Sequence, residues 1–450
     1  MKRIIAFSAF AVCVLATLVT AQGPDINTWI NGVGGKPQLA VIDFRGAGSQ
    51  DFMAAFNSTL FSDLKSSGLF DLVPKGMQPR TPPQRPEDIR PVDGNGLALA
   101  DWVKKPAGAT HLAFGYTAAS GGALALYGYL DDVRQANPQS AQLFGKRYAG
   151  TLDNSGATKV AHEYANDIIT QFGGTGSLLG SRIYFVSDRN SKKGDWEIWV
   201  MDWDGNNVKQ LTKMGNLNSM PTISPDGTKL AFTTWAYGQP RIELISTSTG
   251  RRLNFYNQEA SLNANVSFTP DGKQVYYSST AHESLSQIYV ANADGGGFRR
   301  VSHRNAIDVE PKVNPKNPTQ LLFVSGPTHQ QIYSMNSEGL NVERVTNGEG
   351  EASNPAWHPD GQHFAFAWTR GYATGNFNIF VMDYGSRQYV QLTHSEGRNE
   401  NPTWAPDGRH IVFTSTRSGR PQIYSMLANG TEVRQLTNQG DNKFPVWGVQ

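Results

Sequence analysis

From about residue 180 onward this chain repeats itself, and a sequence repeat limits the available folds more than any other feature. The marker is a tight turn, seen in Ser224-Pro225-Asp226-Gly227, Thr269-Pro270-Asp271-Gly272, His358-Pro359-Asp360-Gly361 and Ala405-Pro406-Asp407-Gly408. A degenerate copy, Asn314-Pro315-Lys316-Asn317, falls between the second and third. The prolines are 45, 45, 44 and 47 residues apart. Proline presets φ at the first corner of such a turn, and Asp and Gly accept the conformations that follow. Each turn leads into an apolar, β-favouring run such as Leu230-Ala231-Phe232 or Ile411-Val412-Phe413. A second run follows, at Ile198-Trp199, Ile242-Glu243, Ile288-Tyr289, Ile332-Tyr333, Ile379-Phe380 and Ile423-Tyr424. A closing strand such as Val208 to Thr212, Val342 to Thr346 or Val433 to Thr437 completes four strands in roughly 45 residues, the period of a propeller blade.

Six second runs stand against five turns, because the first copy lacks an innermost strand. Phe444-Pro445-Val446-Trp447 matches the segment that precedes the turn elsewhere, as in Asn401-Pro402-Thr403-Trp404. The spacing therefore predicts that the C-terminal strand completes blade one, closes a six-bladed ring and removes its open sheet edges.

Residues 38–172 carry a different pattern. Gln38 to Phe44 reads as a buried strand, and Ser49 as the cap of a helix with Phe52, Phe56, Leu60 and Leu64 on one face, ended by Gly68. Strands are expected at 70–73, 111–117, 123–131 and 142–149, a short helix near 97–104, and a Pro-rich loop at 81–90. Ser155 reads as the cap of a last helix carrying Val160, Tyr164, Ile168 and Phe172. The expected fold class is thus multidomain: a small N-terminal α/β domain (38–175) followed by an all-β six-bladed propeller (176–450), joined through Gly173-Gly174-Thr175-Gly176.

The first 21 residues read as a signal peptide, 1–21, cleaved after Ala21: Lys2 and Arg3 precede an apolar stretch from Ile4 to Val19. The competing reading is a membrane anchor, but no basic stop-transfer cluster follows. Residues 22–37 form a polar, extended arm. Cys13, the sole cysteine, lies in the leader, so the exported chain needs no disulfide. Of 40 basic and 38 acidic residues, loss of Lys2 and Arg3 leaves 38 of each, with no basic surplus for nucleic acid. No later segment is apolar enough for membrane insertion.

A search for chemistry finds little. No G-x-S-x-G elbow, P-loop, H-E-x-x-H or paired-cysteine metal signature occurs, so no catalytic residue, metal or cofactor is assigned. Asp202-Trp203-Asp204-Gly205 imitates a calcium loop but sits where other blades have hairpin turns. His358 and His363 lack a third ligand nearby and read as turn residues. Blade aromatics such as Trp199 and Tyr289 read as packing between blades. The varied, polar segments between blades are expected to ring the channel mouth, since varied loops on a regular scaffold are where propellers bind. Their candidate contacts are Asn218, Asn263, Asn265, Asp308, Glu310, Asn354, Glu400, Asn401 and Lys443, and Asp308, Glu310 and Glu400 could converge on an ion.

The whole layout resembles the TolB family, the periplasmic component of the Tol–Pal system. The likeness runs from the arm through Gly34-Gly35-Lys36-Pro37 and Leu39-Ala40-Val41-Ile42-Asp43-Phe44 to Ser181-Arg182-Ile183-Tyr184, the turn repeats and Phe444-Pro445-Val446-Trp447. Val266 replaces the usual proline, and Asn314 to Asn317 has lost the turn signature. The resemblance implies a monomeric, non-catalytic periplasmic scaffold supporting outer-membrane integrity and envelope constriction at division. It would bind a Pal-like peptidoglycan-associated lipoprotein at the channel mouth. A TolA-like inner-membrane protein would take the arm, with Asp25, Ile26, Asn27, Trp29 and Ile30 as its contacts. The alternatives are a periplasmic propeller enzyme, either a polysaccharide lyase or a hydrolase relative, and a carbohydrate-binding propeller. A lyase needs a His/metal cluster in the channel, where only His303 and His394 lie near suitable segments, and a sugar binder needs aromatics at the mouth.

Overall fold

Apolar side chains fill both faces of the repeated strands, and the strands pair locally into six separate four-stranded sheets. The computed structural model describes residues 26, 36–46, 50–90, 97–172, 178, 180–191, 194–282, 284–326 and 329–449. The leader, Asp25, Asn27, Trp29, Ile30 and the Gly173–Gly176 linker lie outside them.

Blades two to six are antiparallel meanders. In blade two the strands are Asn218–Ile223, Lys229–Thr234, Arg241–Ser246 and Arg252–Leu253, innermost first. The innermost strands of blades three to six are Asn263–Phe268, Asp308–Val313, Ala352–Trp357 and Asn399–Trp404. Blade one takes three strands from Arg182–Ser187, Glu197–Asp202 and Lys209–Gln210 and its fourth from Asn442–Gly448, which runs antiparallel to Arg182–Ser187. The C-terminal strand therefore closes the ring, and Trp447 Nε1 donates to Ser181 Oγ at 2.8 Å to anchor it.

A hydrogen-bonded bracket recurs in the blades. The hydroxyl of Thr212, Ser302, Thr346, Thr393 or Thr437 accepts from the backbone N–H of Ile198, Ile288, Ile332, Ile379 or Ile423. The same hydroxyl donates to the side chain of Glu197, Gln287, Gln331, Asn378 or Gln422. This accounts for the Thr that ends the outer segments in the sequence repeat.

The N-terminal sheet has the order Asp71–Leu72, Gln38–Val41, His111–Ser120, Ala123–Asp132, Gln142–Thr151, with Arg45–Gly46 beside the third. The helices Gln50–Ser66 and Asn154–Gln171 cover one face, and Phe56, Leu60, Leu64, Val160, Tyr164 and Ile168 are fully buried in one core. Two local expectations are corrected. Asp153, not Ser155, caps the second helix, accepting from Gly156 N at 2.7 Å, since an Asp one position before the helix reaches the free amides. The Pro-rich segment is not wholly loop: it holds a 3-10 turn at Pro86–Asp88 and a short strand at Ile89–Arg90.

This unit sits on the propeller's turn face. Pro-Asp-Gly turns bond to the outer hairpins there, as in Thr247 Oγ1 to Gly227 O and Ala428 N to Arg409 O. His410 Nε2 lies 2.6 Å from Ser66 O while its Nδ1 lies 2.7 Å from Asp407. Arg434 donates to Ser66 Oγ, and a Cβ at Gly68 would strike Leu427 at 2.7 Å, so Gly68 serves both its left-handed turn and this contact. The face with the inter-blade segments is left on the other side.

Candidate functional site

The inter-blade segments are not loops. Each forms the first half of an innermost strand, and a bulge at its third residue explains why the sequence hides it. Met220, Asn265, Glu310, Asn354, Asn401 and Phe444 all take φ between 52° and 57°. Pairing slips at that point in every blade, for example between Ser353 and Ala356. A left-handed residue breaks the two-residue alternation by which a strand is recognised. Such conformations are uncommon outside glycine and cost of order 1–3 kcal/mol each, so six in register mark a conformation the ring enforces.

These six residues turn inward and line one cavity of about 270 Å³ in the central channel. Of the residues expected from sequence, Asn265, Glu310, Asn354 and Asn401 converge there. Glu400 and Lys443 lie one position earlier in their strands. Arg398 Nη2 donates to Glu400 at 2.6 Å, and the Lys443 ammonium stands 4.7 Å from the Trp196 ring centre. Burial pushes the Glu400 carboxyl above the usual range, against the pull of Arg398 and Lys443.

Asn218, Asn263 and Asp308 are at most 1% exposed and face into the blades, so they brace the mouth and cannot touch a partner directly. Asn218 Nδ2 donates to Trp196 O at 2.7 Å, Asn263 Nδ2 to Gln258 O at 2.9 Å, and Ser325 Oγ donates to Asp308 at 2.6 Å. The reason is positional: the first residue of each innermost strand ties it to neighbouring backbone. Burial also raises the Asp308 carboxyl, opposed by the Ser325 hydroxyl. Asp308 and Glu400 are both absent from the cavity wall that holds Glu310, so the three acids considered for an ion do not converge there. Ile26, the arm residue that is described, is 3% exposed within an apolar cluster of blades five and six that includes Phe377, Ile379 and Trp404.

The ring is also a joint between blades. Asn265 N, Glu310 N and Phe444 N donate to hydroxyls of the preceding blade, Thr233, Ser278 and Thr414. Val186, in the blade before Met220, has no hydroxyl at that position, and neither have Val324 and Ala367 in two further blades. There the ring bonds to itself: Asn354 N donates to Glu310 Oε2 at 2.9 Å, and Asn401 N to Asn354 Oδ1 at 3.3 Å. Glu310 and Asn354 thus hold neighbouring blades together as well as facing the channel.

Sequence reading missed Lys312 and Phe444 on the same wall. The signal for Lys312 was available: it is the single charge at a repeat position otherwise held by Thr222, Ser267, Ala356, Thr403 and Val446. His358 and His363 do have a third potential ligand, Asp360, 3.0 and 2.7 Å from their Nδ1 atoms. The reason is the tight turn, which folds Asp360 back onto both rings. The group lies at a turn away from the channel, and His358 Nε2 contacts Gly408 O at 2.8 Å, so it knits two turns together. A larger recess, about 720 Å³, lies along the helix Gln50–Ser66, where Lys75 pairs with Asp43.

Fold and channel together define a closed six-bladed propeller carrying a small α/β unit, with a polar, strained ring inside its channel. The TolB beta propeller domain family matches residues 169–353 and 343–449, so the chain belongs to the TolB family. Similar proteins include a TolB homolog of Chlorobium chlorochromatii, 31% identical over 48% of this chain and 46% of its own length. A Tol-Pal system protein TolB of Anaeromyxobacter dehalogenans is 27% identical over 69% of this chain and 67% of its own. The chain thus spans about half to two thirds of the length of these curated relatives. The crystal structure of TolB from Acinetobacter baumannii shares the fold, with a TM-score of 0.74 at 19% identity over 93% of this chain and 98% of that one.

Proposed function

We propose that this chain is a non-catalytic, exported scaffold of the Tol–Pal system, organised as an arm at 22–37, an α/β domain at 38–175 and a propeller at 176–450. It works in the periplasm, supporting outer-membrane integrity and constriction at division. Its channel mouth binds a Pal-like lipoprotein, and its arm binds a TolA-like protein. The observation that carries this reading is the convergence of Asn265, Glu310, Asn354 and Asn401 on one channel, with Glu400 and Lys443 beside them, in a TolB-family propeller. Asparagine amides with two carboxylates and one ammonium suit hydrogen-bonded protein recognition more than sugar stacking. Among the described residues no helix is long and apolar enough to cross a membrane, in keeping with an exported protein. Because Ile26 is buried, a partner that takes the arm through Ile26 must first withdraw it from its cluster.

The test is calorimetric titration of residues 22–450 with the soluble Pal domain from the same genome. A Glu400→Ala/Asn401→Ala/Lys443→Ala variant should lose at least tenfold in affinity while keeping its fold. Absence of saturable binding by the unaltered protein would overturn the Pal assignment. Equal binding by the variant would move the site off the channel mouth.

A further inference from the structure

The fifth residue of each innermost strand faces the cavity beyond the left-handed ring, toward the turn face, and these six residues divide into two arcs. Blades two, three and four contribute Thr222, Ser267 and Lys312 in succession. Thr222 Oγ1 makes no hydrogen bond among the described residues. Ser267 Oγ accepts from Val313 N at 3.2 Å, which leaves its own proton uncommitted. No hydrogen bond or ion pair within the described residues reaches Lys312 Nζ, although channel walls surround it. Burial depresses the Lys312 ammonium, and Glu310 two residues away only partly opposes this. Blades five, six and one contribute Ala356, Thr403 and Val446, and Thr403 spends its hydroxyl on Pro445 O at 2.8 Å. One arc thus offers three adjacent donors lacking acceptors, and the other is apolar or satisfied.

Ser267 is buried and Thr222 and Lys312 are half-buried on the channel wall, so donors without protein acceptors here favour a guest that supplies acceptors. An excess of donors around one cation calls for an anion and repels a metal ion. The single positive charge, with the Glu310 carboxylate nearby, disfavours a dianion such as phosphate. The walls at Ala356, Val446 and Phe444 on the opposite arc favour an organic body over a bare halide. About 270 Å³ is just under the ~300–1,000 Å³ of typical ligand pockets, which limits the guest to a small molecule.

We propose that this part of the channel is a binding site for a small organic monocarboxylate, with Lys312, Ser267 and Thr222 holding the carboxylate and the opposite arc the alkyl body. The site shares its cavity with Asn265, Glu310, Asn354 and Asn401 and lies on the side of them toward the turn face.

The probe is sodium butyrate, titrated into the full chain by calorimetry and by thermal unfolding, with sodium chloride at matched ionic strength as control. A ligand that binds only the folded state raises its melting temperature in a saturable way. Butyrate should do so and chloride should not. Lys312→Met should weaken butyrate binding at least tenfold, and by removing an unpaired, half-buried charge it should fold at least as stably as the parent. Thr222→Val, nearly isosteric, should weaken binding severalfold with Lys312 intact, while Lys209→Met on an exposed outer strand should change nothing. A response to chloride equal to that to butyrate overturns the carboxylate assignment. No saturable butyrate response, or an undiminished one in Lys312→Met, overturns the site.

Discussion

The joint between blades four and five offers a sharp test of how the channel ring is built. In three blades a ring amide donates to a hydroxyl of the preceding blade, but Asn354 N has Val324 there and uses Glu310 Oε2. Glu310→Ala leaves that amide and Asn354 Nδ2 without their carboxylate acceptor. A hydrogen bond to a charged group contributes about 1.5–3 kcal/mol, and a donor left unpaired costs about 1–3 kcal/mol, so the substitution should destabilise by about 1–3 kcal/mol. Glu310→Gln, which keeps an acceptor, should cost less than about 1 kcal/mol. The decisive partner is Val324→Thr. Val324 is fully buried, so with Glu310 present the added hydroxyl lacks a role and costs about 1–2 kcal/mol. With Glu310→Ala it occupies the register position of Thr233, Ser278 and Thr414 and can accept from Asn354 N. Equilibrium urea unfolding of the four proteins should give a favourable coupling of at least about 1 kcal/mol at unchanged m-value. Additivity within about 0.5 kcal/mol would refute the account of the ring as a hydrogen-bonded joint.

Three further outcomes follow from the same geometry. Trp447→Ala removes a buried ring and its bond to Ser181 from the closing strand, and should cost about 3–5 kcal/mol, read by urea unfolding; a loss below about 1 kcal/mol would mean that closure rests elsewhere. Burial lifts the Asp131 carboxyl from its ordinary 3.8 to about 7, so the folded protein keeps a proton that the unfolded chain releases near pH 4. That contribution is complete below about pH 4 and is lost as pH rises to about 7; Asp131→Asn should therefore match the parent near pH 4 and exceed it by roughly 2–4 kcal/mol above pH 7, and a constant difference across this range would contradict the burial argument. His410→Ala cuts the tie from Asp407 to Ser66, and hydrogen exchange should speed up in the last turn of Gln50–Ser66 while the sheet amides of blades two to four stay protected; unaltered exchange in that turn would show that the tie does not hold the helix.

Much of the architecture could be read before any coordinates. Turn signatures recur at the repeat period, so the local chemistry of Pro, Asp and Gly announces the same corner in each blade, and Phe444-Pro445-Val446-Trp447 declares itself the missing innermost strand by matching its sisters. The helices of the N-terminal unit were visible in their apolar spacing. The site was legible only in part. Asn265, Glu310, Asn354 and Asn401 stood out as polar residues in the varied segments between blades, but so did Asn218, Asn263 and Asp308, which the fold buries. Composition cannot separate these sets, because both are polar residues in a short polar stretch two positions apart, and the bulge between them decides which points into the channel.

The number of blades, the closing strand and the order of the two units follow from local propensity and from repetition along the chain. The tertiary structure alone decided what the inner ring does. Whether Glu310 faces solvent or accepts from Asn354, and whether Lys312 finds a counter-charge, depends on what neighbouring blades bring within hydrogen-bond reach. Those partners lie about 45 residues away, and their identity is written in no single repeat.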